Sequence, residues 1–229
     1  MKRNLLLSLL LLLFPLLSMA QKDIYYRVRA EFSVKEKSSD GRSSLTMGRV
    51  YYDKARKRIV YDVLFPEKEK WLFTDSVMYT IRDGITKKQP IVGGYIDFSI
   101  FNLSLNNNLK DYGLQNSIYE LNKVVKDEDM VISIWTPKKE YANIIGDVKV
   151  SIRGNQLYGV LVYDAAKKLI GKQVFSDYIR IGGFEFPGEI INFTYLENGE
   201  EIKQITNYKN VKINNWDEDI FYNYNVSTP

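Results

Sequence analysis

The chain contains neither cysteine nor histidine. Without cysteine there are no disulfide frameworks, Cys-ligated zinc sites, thiol nucleophiles or iron–sulfur clusters. Without histidine there is no Ser-His-Asp triad, no HExxH zinc site and no imidazole general base. An enzyme built on this sequence would have to work with carboxylates, Lys, Tyr or Ser alone, so composition points to a non-catalytic binding protein and to no cofactor. An excess of one charge is lacking too. The 229 residues hold 32 basic and 28 acidic side chains, which is not the footprint of a nucleic-acid partner. No Pro/Ser/Gly-rich linker divides the chain, and its length suits one domain with a substantial core.

What is present begins with a leader. Met1-Lys2-Arg3-Asn4 is a short basic segment, Leu5 to Leu17 is an apolar run, and Ser18-Met19-Ala20 places small residues before Gln21. This pattern predicts a cleavable signal peptide over residues 1–20. The run is shorter than the roughly 20 apolar residues that span a bilayer. Removing Lys2 and Arg3 leaves 30 basic residues against 28 acidic, a net +2. Residues 21–229 are then an exported single domain. Export without disulfides fits a bacterial periplasm.

Period-2 alternation dominates the rest. Ile24, Tyr26, Val28, Ala30, Phe32 and Val34 take one face of a long strand, and Arg27, Arg29, Glu31 and Lys35 take the other, which is expected to meet water. Strands follow at Leu45–Tyr52 and Arg58–Phe65, then at Trp71–Thr74 and Val77–Ile81, with short connections throughout. Phe98, Phe101 and Leu105 share a helical period, so Asp97–Leu105 is expected to be a short helix, with a further helical turn at Glu140–Ile145. Later strands, broken at Asp164-Ala165-Ala166-Lys167-Lys168 and Asn198-Gly199, bring the expectation to about eleven strands and one or two helices.

Signals for catalysis are weak. The acidic triplets Asp127-Glu128-Asp129 and Asp217-Glu218-Asp219 lack the spacing of a calcium loop and read as solvated segments. Gly171-Lys172 is not a phosphate-binding loop, because Ala166 and Gln173 stand where Gly and Ser/Thr are needed. No pair of the 28 acids is singled out for glycoside hydrolysis. The aromatic residues say more. Seventeen Tyr, eleven Phe and three Trp, many at alternating strand positions, leave a curved sheet with an apolar face that must close on itself or hold something greasy.

One stretch resembles a known family. Gly48, the basic turn Lys54-Ala55-Arg56-Lys57-Arg58, Pro66, Trp71-Leu72-Phe73-Thr74-Asp75 and Met78-Tyr79-Thr80-Ile81 follow one another as in the LolA-like outer-membrane lipoprotein carriers. Phe184-Glu185-Phe186-Pro187-Gly188-Glu189-Ile190 is similar to a later Phe-Pro-x-x-Ile segment of carrier-like relatives. The family's Arg-Pro is replaced by Ala55-Arg56, and Ser76 stands in place of a turn Gly.

The resemblance implies a mainly β fold, an incomplete antiparallel β-barrel covered on one side by short helices, with a cavity for acyl chains. It implies Tyr52, Tyr61, Val63, Phe65, Trp71, Phe73 and Tyr79 as cavity-lining residues, Phe98, Phe101 and Leu105 as the lid, and Arg56 as the residue that latches it. The implied function is a periplasmic carrier or chaperone that binds lipid or lipoprotein acyl chains and moves them towards the outer membrane. Its partners would be the acyl chains, an inner-membrane donor and an outer-membrane acceptor, and it would act as a monomer. The alternative is a non-catalytic envelope binding or scaffold protein with a polysaccharide or protein ligand.

Overall fold

In the computed structural model, residues 25–91 and 93–226 are described, so the leader expected at 1–20 lies outside them. Alternation sends successive side chains to opposite faces, and thirteen segments follow it. They are β1 (Arg27–Lys37), β2 (Ser43–Asp53), β3 (Arg58–Phe65), β4 (Glu69–Phe73), β5 (Val77–Arg82) and β6 (Ile85–Pro90), then β7 (Tyr119–Asp127), β8 (Met130–Pro137), β9 (Val148–Arg153), β10 (Gln156–Tyr163), β11 (Leu169–Ile181), β12 (Phe184–Tyr195) and β13 (Glu201–Ile213). Helix α1 (Ile100–Leu105) and a single 3₁₀ turn (Leu114–Asn116) separate the two groups, and α2 (Asp219–Tyr222) follows the last strand.

The strand count is thirteen where about eleven were expected. Strand β6 carries one apolar residue and is exposed throughout, so it offers no alternation to read. Its Pro90 suits an edge. Glu140–Ile145 is a hydrogen-bonded turn closed by Ile145 N–H donating to Tyr141 O.

All thirteen strands form one antiparallel sheet in the order β6-β5-β4-β3-β2-β1-β13-β12-β11-β10-β9-β8-β7. Two meanders are thus joined where β1 pairs with β13. Right-handed strand twist accumulated over so many strands curls a sheet, but β6 and β7 remain unpaired with each other and the barrel stays open. Close approach between strands is built in at Gly48, where a Cβ would fall 2.1 Å from the Asp62 carbonyl oxygen. A bulge sits at the same place, with Gly48 opposite Val63 but Met47 opposite Phe65.

The segment 93–118 runs between the two sheet edges and fills part of the interior. Its Phe101, Leu103 and Leu114 are buried with Val28, Phe32, Tyr52, Val150 and Phe186 from the inner sheet face in one continuous core. Full burial contributes roughly 1.5–3 kcal/mol for each such side chain, which holds a six-residue helix too short to persist alone.

A second, smaller core lies on the outer face, where Tyr51, Val60 and Leu72 are covered by Tyr222. This corrects the expectation that the outward residues of β1 meet water. Arg27 and Arg29 are buried beneath the segment 216–222. Arg27 Nε lies 2.7 Å from Asp53 Oδ2 and its Nη1 2.7 Å from Asp219 Oδ1, while its guanidinium stacks 4.1 Å from the Trp216 ring. Arg29 pairs with Glu218 at 2.6 Å. The acidic triplet at 217–219 therefore supplies partners for two buried arginines.

Candidate functional site

Local sequence places α1 over the sheet. Ser99 caps the helix by accepting a hydrogen bond from Asn102 N–H at 3.3 Å, which meets one of the unpaired donors of a first turn. Three side-chain contacts then fasten the crossing segment to strands or their turns. The Tyr52 hydroxyl donates to Asn102 Oδ1 at 2.8 Å, the Tyr112 hydroxyl donates to Gln173 Oε1 at 2.7 Å, and Lys57 Nζ lies 3.7 Å from Asp97 Oδ1.

Between this segment and the inner sheet face is a cavity of about 670 Å³. Its two sides differ. Strands β3 and β4 with the lid contribute Tyr61, Trp71, Phe73, Tyr95, Phe98 and Phe101. Strands β11 to β13 contribute Gln173, Asn192, Gln204 and Thr206 beside Phe175 and Ile190. One half is thus aromatic and the other carries amides on an apolar floor. Asn192 Nδ2 donates to Gln204 Oε1 at 3.3 Å, while the buried Asn192 Oδ1 has no hydrogen-bond partner. An unpaired buried acceptor is costly, so this wall suits a ligand group that can donate.

The aromatic half is packed edge to face, with Tyr61 5.1 Å from Phe32 and 5.7 Å from Phe73 between ring centroids. Burial pushes the hydroxyls of Tyr61 and Tyr208 well above the ordinary tyrosine value. Burial likewise pushes the Tyr112 hydroxyl up to about 12. These groups are neutral in any ordinary buffer, so no charge develops on this wall.

The structure distributes the residues implied by the resemblance unevenly. Tyr61, Trp71, Phe73, Phe98 and Phe101 come together around the cavity. Tyr52 and Val63 face the same interior, but they are fully packed beneath the lid and in the core and do not reach the cavity. Phe65 lies beyond the bulge and is 44% exposed. Tyr79 points outward: it pairs with Leu72 and packs on the outer core. The hairpin between β4 and β5 pairs Phe73 with Met78, so the inward residue of β5 is Met78. Leu105 is buried and lines a different cavity. Arg56 is exposed, and only its backbone N–H is engaged, donating to Asp53 Oδ1. Lys57, the next residue, makes the contact with the lid segment.

The amide half went unread in the sequence. Gln173, Asn192, Gln204 and Thr206 occupy inward positions, and polar residues at such positions blur the alternation that marks a strand's buried face. Only the pairing of β11, β12 and β13 reveals that they share a wall.

A second cavity of about 530 Å³ lies at the other end of α1, lined by Ser104, Leu105, Lys54, Lys110, Gln156 and Tyr178 among others. Phe101 stacks on Phe186 in the core, and Tyr208 meets both rings edge-on.

No protein-family model matches the sequence, and no curated protein matches it either. Solved structures match it in three dimensions. A LolA superfamily protein from Nitrosomonas europaea superposes with a TM-score of 0.58 at 13% identity, over 87% of this chain and 91% of the other. A DUF1329 family protein from Desulfovibrio piger gives 0.59 at 17% identity, over 90% and 93%. A candidate outer membrane lipoprotein-sorting protein domain from Vibrio parahaemolyticus gives 0.59 at 12% identity, again over 90% and 93%. At these identities the likeness is one of fold.

Proposed function

We propose, given a LolA-like fold in a far-diverged sequence, that this chain is an exported, non-catalytic carrier that shields the acyl part of a lipid or lipoprotein. One observation carries the reading: the interior holds an open cavity of about 670 Å³ with an aromatic half and an amide half. That volume lies in the range of roughly 300–1,000 Å³ typical of sites for one small ligand. An amphiphile with its chain against Trp71 and Phe73 and its polar end near Asn192 would satisfy both walls.

Each methylene taken from water contributes about 0.8 kcal/mol, so an enclosed groove suffices to hold an acyl chain in an aqueous compartment. Neither metal nor nucleotide is needed for such holding. In this reading the crossing segment is the lid, and the polar contacts of Tyr52 and Tyr112 set how readily it opens. The chain would work in the periplasm as a monomer, taking cargo from an inner-membrane donor and passing it to an outer-membrane acceptor.

Organic extraction of the purified protein followed by mass spectrometry tests the reading. Stoichiometric acyl-bearing species are expected. Protein that yields no acyl species, and takes none up from micelles, contradicts it.

A further inference from the structure

Register aligns five lysines that are far apart in the sequence. Lys123 pairs with Ile134, Ile134 with Lys149, Lys149 with Leu161 and Leu161 with Lys172. Lys172 then pairs with Phe193, Phe193 with Lys203 and Lys203 with Lys37. Directly opposed residues share a face, so one row crosses eight strands from β7 to β1 with no acid in it. At about 4.8 Å between strands it is roughly 34 Å long. Its face is the outer one, because Val148, Val150 and Phe175, at alternate positions, are buried in the interior.

Folding alone disfavours this arrangement. Lys203 and Lys37 stand directly opposite one another, a like-charge pair that weakens a sheet. Among the described residues the lysine ion pairs are those of Lys57 and Lys70, and none involves the row. Its ammonium groups lie over rings instead, Lys149 4.9 Å from the Tyr163 centroid and Lys172 and Lys203 5.4 and 5.5 Å from that of Phe193. Setting these five aside leaves 27 of the 32 basic residues against 28 acidic ones. The positive excess of the chain therefore resides in this row.

Beside the row runs an apolar strip on the same face. Val174 pairs with Ile191, Ile191 with Ile205, and Ile205 with Lys35, a sixth lysine. On the far side Asp147 and Glu201 are the flanking acids. The C-terminal segment covers the outer core of β2 to β4 and leaves this region open.

We propose that the outer face of β9–β13 docks on an anionic lipid surface, with the lysines meeting the headgroups and Val174, Ile191 and Ile205 lying against the hydrocarbon boundary. Lysine stems reach past apolar surface to place their charge in a headgroup layer. A soluble polyanion would meet the lysines but leave the apolar strip in water. The inference is independent of what the cavity holds.

Co-sedimentation of the purified protein with vesicles tests it. Binding is expected to mixed phosphatidylglycerol–phosphatidylcholine vesicles, to weaken as salt is raised, and to be absent with phosphatidylcholine alone. The triple variant K149Q/K172Q/K203Q should lose about fivefold per lysine, on the order of a hundredfold together. The charge-matched control K87Q/K88Q/K139Q should lose less than about threefold, with both variants folded by circular dichroism. Binding to neutral vesicles as strong as to anionic ones, no vesicle binding at all, or equal losses in the two triple variants would overturn the proposal. Dextran sulfate that binds as tightly as the vesicles, per anionic charge, would overturn it in favour of a polyanion.

Discussion

The Tyr52 hydroxyl donates a 2.8 Å hydrogen bond to Asn102 Oδ1, joining β2 to the middle of α1. The tyrosine ring is fully buried and faces Phe101 with 6.1 Å between centroids. One residue thus supports the lid by packing and fixes it by a polar contact.

Replacing Tyr52 by Phe keeps the packing and removes the bond. Stability should fall by about 1 kcal/mol, the typical worth of one such hydrogen bond. Amide exchange should accelerate in residues 97–108 while the inner strands β1 and β13 stay protected. Unchanged exchange in the lid would show that Tyr52 supports it through packing alone.

The amide wall carries its own prediction. Asn192→Leu removes the acceptor that lacks a partner, Asn192 Oδ1, and the donor to Gln204. Affinity for a monoacylglycerol, whose hydroxyls can donate to that oxygen, should drop about fivefold, one hydrogen bond's worth, while affinity for a wholly apolar fluorescent probe stays within about twofold. Competition titrations with the two ligands check it.

Alkaline pH should unfold the protein through its interior tyrosines. Burial raises Tyr61, Tyr208 and Tyr112 above their ordinary value of 10.0. Below pH 10 these groups are protonated in folded and unfolded chains alike, so their contribution is fully present. Above it the unfolded chain ionises first, and stability falls by about 1.4 kcal/mol per pH unit for each such tyrosine. Denaturant titrations across this range should show the decline, with the tyrosinate absorbance of these residues appearing together with loss of structure.

Tyr222→Ala should destabilise the whole sheet, although the residue lies near the C-terminal end. It opens the outer core of Tyr51, Val60 and Leu72 and uncovers Arg27, which sits 4.6 Å from its ring. A loss of about 3 kcal/mol is expected for an aromatic of this burial, measured by equilibrium unfolding. A loss below about 1 kcal/mol would mean that the segment 216–226 is loosely held.

Much of the sheet was legible because its signal is local. Alternation in Val28-Arg29-Ala30-Glu31-Phe32 marks β1, and Phe98, Phe101 and Leu105 mark the helix by their period. Cavity residues were legible only as far as parity could be carried from strand to strand. Tyr61 pairs with Trp71 and both face inward, but the next hairpin pairs Leu72 with Tyr79 and turns Tyr79 outward. The bulge at Gly48 displaces Phe65 in the same way.

Properties that depend on pairing between distant strands left no local trace. Arg27 looks like a solvated strand residue until Asp219 meets it across 192 positions. The lysine row is equally invisible, since Lys37 and Lys203 become neighbours only when β1 joins β13.

The central claim is that the cavity between α1 and the inner sheet holds an acyl chain. Titration of the purified, delipidated protein with a fluorescent fatty acid tests it most directly, alongside a Thr206→Trp variant that fills the cavity between Tyr61 and Phe175. The account predicts saturable binding to the unaltered protein and at least a tenfold loss in the filled variant, about the effect of blocking two methylenes from burial. Binding of equal affinity in a folded Thr206→Trp protein, or no saturable binding to either, would contradict it.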